Sequence, residues 1–327
     1  VNSVQVVDDW KSFMRDVVVI GGGLSGLAAA AELETLKIPY RLIEVKKRLG
    51  GSIATIRKDG FLIDTGAFAF PRRADWSFLS DLGLEDALID ANDWHKNRSV
   101  AFKNGTQSVT DALASRLKTG TFIHRMAVSS IGYLDGRYVL CMENGLVLEA
   151  GALVVAAPAR HTERRFRTLA PEFSQRLLNY GYDTITRVAL GYPAEHIGDP
   201  GKYVWGDMAV AFYHTTDDPN RVPPGHTLIQ LGVRFPLERT TPEALIGELR
   251  THIGWPENPV MSHISVWPEA DPLPPHTRTF HEEMAVLQNL LPEGVALAGG
   301  DYHGLGLAAR IEGGRAAARR VAEWLKA

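Results

Sequence analysis

Val17-Val-Val-Ile-Gly21-Gly-Gly23-Leu-Ser-Gly26-Leu-Ala-Ala-Ala, followed by Tyr40-Arg-Leu-Ile-Glu44, decides the fold. The run Val17–Ile20 is apolar and β-branched, suited to a strand buried on both faces. Gly21 permits a tight turn out of that strand, Gly23 lets the backbone approach a pyrophosphate, and Gly26 lets the next helix pack closely on the sheet. The spacing predicts that helix over Leu27 to Leu36, where alanine and leucine favour it. Its N-terminal N–H groups and dipole suit a phosphate, and Leu24 and Ser25 in the turn before it are candidate cofactor-binding residues. Arg41 to Val45 supplies a second strand. Glu44 at its end, 18 residues beyond Gly26, is placed to accept hydrogen bonds from ribose hydroxyls and disfavours a 2′-phosphate. The ligand expected is FAD or NAD.

Composition narrows the field. The chain has 327 residues, 45% of them hydrophobic, enough for one large or two moderate domains. A net charge of −3 gives no reason to expect nucleic acid or anionic lipid as a partner. The basic cluster Arg160 to Arg167 reads as a solvated helix face. No apolar stretch approaches the roughly 18 residues of a membrane span, and residues 1–16 lack the apolar core of a signal peptide. Cys141 is the one cysteine, expected as an inert buried thiol on a strand and compatible with a cytoplasmic location. Scattered histidines without HExxH or cysteine pairs predict no metal, and neither a nucleophile elbow nor a P-loop is present.

Further along, alternation around Asp59-Gly60 predicts a β-hairpin whose second limb carries Asp64 to Phe70 toward the nucleotide domain. Helices are expected at Asp75–Leu88 and Val109–Lys118, the latter capped by Ser108 or Thr110. Thr121–Ala157 reads as strands turned at Asp135-Gly136 and Asn144-Gly145, a meander that ends in a buried strand before Pro158. Residues 170–290 suggest a smaller mixed-sheet domain, with strands at Arg187–Tyr192, Met208–His214, Thr227–Val233 and His263–Val266 and a helix at Pro242–Ile253. Val295–Asp301 ends a strand in glycines, and Leu307–Lys326 reads as an Ala/Arg-rich helix.

Three stretches, Asp16–Phe68, Thr121–Pro158 and Trp267–Trp324, resemble the flavin-dependent monoamine oxidase and protoporphyrinogen oxidase superfamily. Arg48-Leu-Gly50-Gly51 is similar to the family segment that wraps the pyrophosphate. Ala298-Gly-Gly300-Asp301-Tyr-His-Gly304-Leu-Gly306-Leu is similar to its segment beside the flavin. The resemblance implies an α/β fold: a Rossmann-type FAD-binding domain (1–75, 119–165 and 285–327) with an inserted β-meander, and a smaller mixed-sheet substrate domain (76–118 and 166–284). It also implies that Val45, Ser52, Gly66, Ala67, Phe68, Val128, Ala157, Pro158 and Trp267 border the cofactor. So would Gly300, Asp301, Gly306, Leu307 and Ala308, with the Leu307 helix aiming its positive end at the flavin pyrimidine. The large helical lobe of bigger relatives is missing, since Leu88 to Val109 is a short polar segment. Neither the lysine near flavin N5 nor a cysteine for thioether attachment has a counterpart.

The expectation is therefore non-covalent FAD and hydride removal from a small apolar or amine substrate, with oxygen as oxidant. Trp205, Tyr213, Trp267, Tyr302 and His303 are candidate walls for an apolar planar substrate. His303 and His276 are candidate bases. A redox-neutral flavin isomerase and a non-catalytic NAD-binding module remain as alternatives; substrate identity and oligomeric state are not readable.

Overall fold

The computed structural model describes residues 16–71, 73, 76–91, 99–197, 210–233, 241–253 and 258–326. In chain order the elements begin with β1 (Val17–Ile20), α1 (Leu24–Leu36), β2 (Tyr40–Glu44), β3 (Thr55–Lys58), β4 (Phe61–Asp64), β5 (Phe70–Pro71) and α2 (Phe78–Leu82). Next come β6 (Leu88–Ala91), β7 (Ser99–Phe102), α3 (Gln107–Ala114), β8 (Thr121–His124), β9 (Val128–Leu134), β10 (Arg137–Met142), β11 (Val147–Ala150) and β12 (Ala152–Val155). After these follow α4 (Ala159–Phe166), α5 (Pro171–Leu177), β13 (Tyr182–Pro193), β14 (Val210–Thr216), β15 (His226–Val233) and α6 (Pro242–Ile253). The last are β16 (Met261–Pro272), α7 (Phe280–Asn289), β17 (Val295–Leu297), α8 (Gly300–His303) and α9 (Leu307–Trp324).

The described residues divide into two units. The first holds those up to Gly51, Leu113–Tyr180 and those from Pro274 onward; the second holds Ser52–Ala112 and Gly181–Leu273. These boundaries differ from the expected ones: the β3–β4 hairpin falls in the second unit, and residues 166–180 and 274–284 fall in the first.

In the first unit a five-stranded sheet has the order β17-β12-β1-β2-β8, every pair parallel. β1 and β12 are buried along their whole length, as their valine-rich sequences require for strands covered on both faces. Helix α9 packs on α1 at backbone distance: a Cβ on Gly314 would lie 2.2 Å from the Ser25 carbonyl oxygen. The order reverses between β1 and β12, so a crevice opens at their carboxyl ends. A three-stranded antiparallel meander, β11-β10-β9, completes this unit's sheets. Its first turn puts Asp135 and Gly136 at φ 50° and 81°, the left-handed pair of a two-residue hairpin.

In the second unit β3 and β4 form a hairpin through Asp59 and Gly60, with φ 49° and 84°. A four-stranded sheet β14-β15-β13-β16 carries a core of Phe61, Ile63, Ala189, Val222, Leu228 and Met261. Under it Arg221 and Asp64, each 1% exposed by side chain, pair at 2.8 Å. Arg221 also donates to the Phe102 and Leu62 carbonyls, while Asp64 accepts from Thr55 Oγ1 and the Thr106 N–H.

Several expectations need correction. The four-stranded sheet is antiparallel in every described pair, not mixed. The helix expected over 75–88 stops at Leu82, because Gly83 turns left-handed at φ 69° and its N–H caps the last turn; Leu88–Ala91 leave as β6. The expected short polar segment after Leu88 contributes two strands, and Val100, Ala101 and Phe102 are core. Helix α3 starts at Gln107, and the Ser108 and Thr110 hydroxyls donate to the carbonyls of Gly105 and Gln107 instead of capping it. Within Thr121–Ala157 a further break, beyond the two expected turns, separates β8 from β9 at Arg125, whose φ is 55°. Cys141 lies on β10 but is only partly buried. In the basic cluster Arg165 is not simply solvated: it donates to the Val128 and His161 carbonyls.

Candidate functional site

At the carboxyl end of β1 the glycines are shaped by what surrounds them. Gly21, at φ 105°, donates to the Ile43 carbonyl at 2.8 Å, and a Cβ there would sit 2.8 Å from Ala156 O. A Cβ on Gly26 would lie 1.8 Å from Gly21 O, so only glycine lets α1 start so close to the strand. Gly23 differs. Among the described residues a Cβ on it would meet only Gly51 Cα, at 3.8 Å, which leaves room there. Gly23 caps α1 without a side-chain acceptor, and no acidic residue stands in the first turn. Leu24 and Ser25 are buried behind it. The positive end of a 13-residue helix thus meets an open cradle, which fits a pyrophosphate.

Glu44 is 5% exposed. Its Oε2 accepts from Gly22 N–H at 2.7 Å and its Oε1 from Lys46 N–H at 2.8 Å, which fixes the carboxylate while each oxygen keeps a further lone pair for a ribose hydroxyl. Val45 beside it is 61% exposed, an apolar surface beside the strand end. Arg48 donates to the carbonyls of Leu49 and Gly51, both at 3.0 Å, so its guanidinium locks its own loop. Gly50, at φ 103°, donates to Gly22 O at 2.7 Å and pins that loop to the cradle.

A second group lies at the ends of β12 and β17. Ala157 and Pro158 lead from β12 into α4, and the N–H of Ala159 donates to Asp301 Oδ2 at 2.8 Å. Tyr180 donates to the Asp301 carbonyl. The guanidinium of Arg310, in the first turn of α9, fills the place of a side chain at Gly300: a Cβ there would lie 2.8 Å from Nε and Nη2. Its Nε is enclosed without a hydrogen-bond partner among the described residues. Burial pulls the Arg310 pKa below its ordinary value, and the charge of Asp301 opposes that. Gly306 caps α9 at φ −66°, and among the described residues nothing lies within 4 Å of its Cβ position. Leu307 is buried behind it and Ala308 half-buried. Val128 is buried and receives the Arg165 Nε hydrogen bond at 2.7 Å.

Tyr302, expected as a cavity wall, is 3% exposed with its hydroxyl 3.5 Å from Ala157 O. Burial raises its pKa above the ordinary range. His303 packs on α9 beside Gly313, about 10 Å along the helix from Gly306 at 1.5 Å per residue. Burial lowers its pKa. It lines a cleft of about 600 Å³ between α7 and α9, together with His281 and Arg320. His276 is exposed on a short 3-10 turn.

In the second unit Gly66 lies against Ser52: a Cβ on it would sit 2.1 Å from Ser52 O. Ser265 Oγ and Trp267 Nε1 both donate to Thr65 O, which fixes the strand end leading into Gly66 and Ala67. Phe68 is 2% exposed, and Arg187 Cζ stands 5.6 Å from the centre of its ring. Trp205 and the side chain of Tyr213 lie outside the described residues. Sequence reading missed Arg310, Arg187 and Arg221. The available signal was weak: Arg187 and Arg310 are single arginines beside apolar residues, and Arg221 follows the polar run Asp217-Asp218-Pro219-Asn220, settings from which arginines ordinarily reach solvent.

An open parallel sheet with a glycine cradle, an uncapped helix start and a fixed acidic strand end defines a doubly wound dinucleotide-binding protein. The chain belongs to the flavin-containing amine oxidoreductase family, whose profile matches residues 91–325. That of an NAD(P)-binding Rossmann-like domain matches 19–82. Among similar proteins, coproporphyrinogen III oxidase of Bacillus subtilis is 39% identical over 84 residues, 23% of this chain and 18% of that protein. Flavin-containing amine oxidase A of Sus scrofa is 35% identical over 108 residues, 31% of this chain and 20% of that protein. The matched stretches therefore span about a fifth of those relatives' length. Cyclohexylamine oxidase from Brevibacterium oxydans IH-35A superposes with a TM-score of 0.73 at 14% identity, over 95% of this chain and 99% of that one. Among the described residues no helix is long and apolar enough to cross a membrane, and no cluster of metal-ligating side chains is present.

Proposed function

We propose that the chain binds FAD non-covalently and removes a hydride from a small apolar or amine substrate, with molecular oxygen as the terminal oxidant. The observation that carries this reading is the cradle at Gly21–Gly26, open at Gly23 and facing an uncapped helix start, with the fixed Glu44 carboxylate at the adjacent strand end. FAD, when bound, would supply the two-electron chemistry, and the protein would supply binding, orientation and charge. In this reading Gly23 and the first N–H groups of α1 hold the pyrophosphate, and Glu44 holds the adenosine ribose. The open Gly306 edge lets the first N–H groups of α9 approach the flavin pyrimidine, where reduction places negative charge. Family membership supports a flavin, and the 2′-phosphate-averse Glu44 supports an adenosine nucleotide without one. With a substrate from the apolar-amine class, anaerobic mixing should bleach the yellow protein, and air should restore the colour with peroxide. Bleaching by no amine, with turnover only after chemical reduction of the flavin, would replace this reading by the redox-neutral one.

A further inference from the structure

We infer that Arg310 is a charge-tuning residue: its guanidinium stabilises the negative charge that reduction places on the flavin. The inference rests on the FAD reading above. Arg310 is half-buried with its Nε enclosed, and withdrawing part of a guanidinium from water is costly unless the enclosed N–H groups are hydrogen-bonded. Arg310 has Asp301 beside it, yet that carboxylate already accepts the Ala159 N–H through Oδ2, and Arg310 Nε has no acceptor among the described residues. An enclosed polar atom left without a partner calls for a functional explanation.

Its position supplies one. The guanidinium lies against Gly300, just past the carboxyl end of β17, and it springs from the first turn of α9. Ligands of open parallel sheets bind along this edge. Arginine stays charged throughout the working pH range, and in a poorly solvated setting its field reaches several ångströms with little screening. The charge of Arg310 therefore adds to that of the helix end, and Asp301 tempers it.

A purely structural role for Arg310 would be to neutralise Asp301. The two roles separate in a redox titration of FAD-loaded protein, with an FAD dissociation constant and an unfolding midpoint measured for each variant. Arg310→Met should move the oxidised-to-reduced ratio at the wild-type midpoint about tenfold toward oxidised flavin, close to 30 mV for a two-electron couple. Arg310→Lys should move it less than threefold. Asp301→Asn should move it in the opposite direction, and if Arg310→Met fails to fold, Arg310→Gln, which removes the charge and keeps a polar side chain, decides the question. An unchanged midpoint in a folded, FAD-bound Arg310→Met protein would overturn the inference. So would a shift toward oxidised flavin in Asp301→Asn. Gly306→Val serves as the control: if it too leaves the midpoint and FAD affinity unchanged, the placement of the flavin at α9 fails, whereas a responsive Gly306→Val beside an unresponsive Arg310→Met sinks only the role of Arg310.

Discussion

A carboxylate is worth what its remaining lone pairs can do, and Glu44 illustrates this at the residue scale. Two backbone N–H groups hold it in place, so a ribose meets a fixed acceptor without further ordering cost. Charge-assisted bonds of this kind contribute roughly 1.5 to 3 kcal/mol. Glu44→Ala should weaken FAD binding by about ten- to a hundredfold, read from fluorescence titration of the apoprotein. Glu34 does a different job: it accepts from Tyr40 Oη, Lys118 N, Thr119 N and Thr119 Oγ1. Partial burial alone would raise its pKa, but these donors outweigh it and hold the carboxyl at about 2, against an ordinary 4.5. A depressed pKa stabilises the fold above 4.5, and that contribution is lost as pH falls toward 2. Acid unfolding followed by circular dichroism should therefore show a shallower stability loss across this window in Glu34→Gln than in wild type. Glu44 was legible because strand, glycine turn, helix and acid stand in fixed order. Glu34 could not be read, since its partners in the 118–120 loop come from a distant part of the chain, and Arg310 could not because its contact with Gly300 depends on how the turn between α8 and α9 folds back.

At the scale of elements, α9 carries the sharpest test. Among the described residues nothing opposes a side chain at Gly306, so Gly306→Val should fold normally, and an effect on the flavin reports on a ligand held there. The expected outcome is a lowered flavin potential or loss of FAD, visible in a redox titration because a tenfold change corresponds to about 30 mV. Elements with strong periodicity and punctuation were readable: β1, the hairpin at Asp59-Gly60 and the helix at Pro242–Ile253 fall where the sequence puts them, while α1 ends at Leu36 as expected but starts three residues early, at Leu24 instead of Leu27. The misread ones share a cause. Gly83 breaks the helix expected over 75–88 at a point where the apolar spacing continues on both sides. The sheet of the second unit pairs antiparallel because partner choice depends on crossings that short apolar runs do not encode.

For the molecule as a whole, two quantities follow from burial and binding. Arg221→Ala strands Asp64 as an unpaired buried charge, and such losses cost about 3 to 5 kcal/mol; denaturant unfolding should show it. FAD bound only by non-covalent contacts should leave intact on heat or acid precipitation, and absorbance retained in the pellet would contradict that. Free FAD at a hundred times its dissociation constant should stabilise the fold by about 2.7 kcal/mol, seen as a raised unfolding midpoint over the apoprotein.

The sheet order also sets a clock. β17 pairs with β12 but begins 278 residues after β1, and α9, which covers α1 through Gly314, is translated later still. At roughly 5 to 20 residues per second, a ribosome needs on the order of 15 to 60 seconds between the first strand and the last. Throughout that interval α1 has an uncovered small-residue face, and from about its midpoint, when β12 emerges, β12 carries an open edge, the exposures that invite aggregation. Chaperone demand should fall abruptly once residues 295–324 have left the exit tunnel.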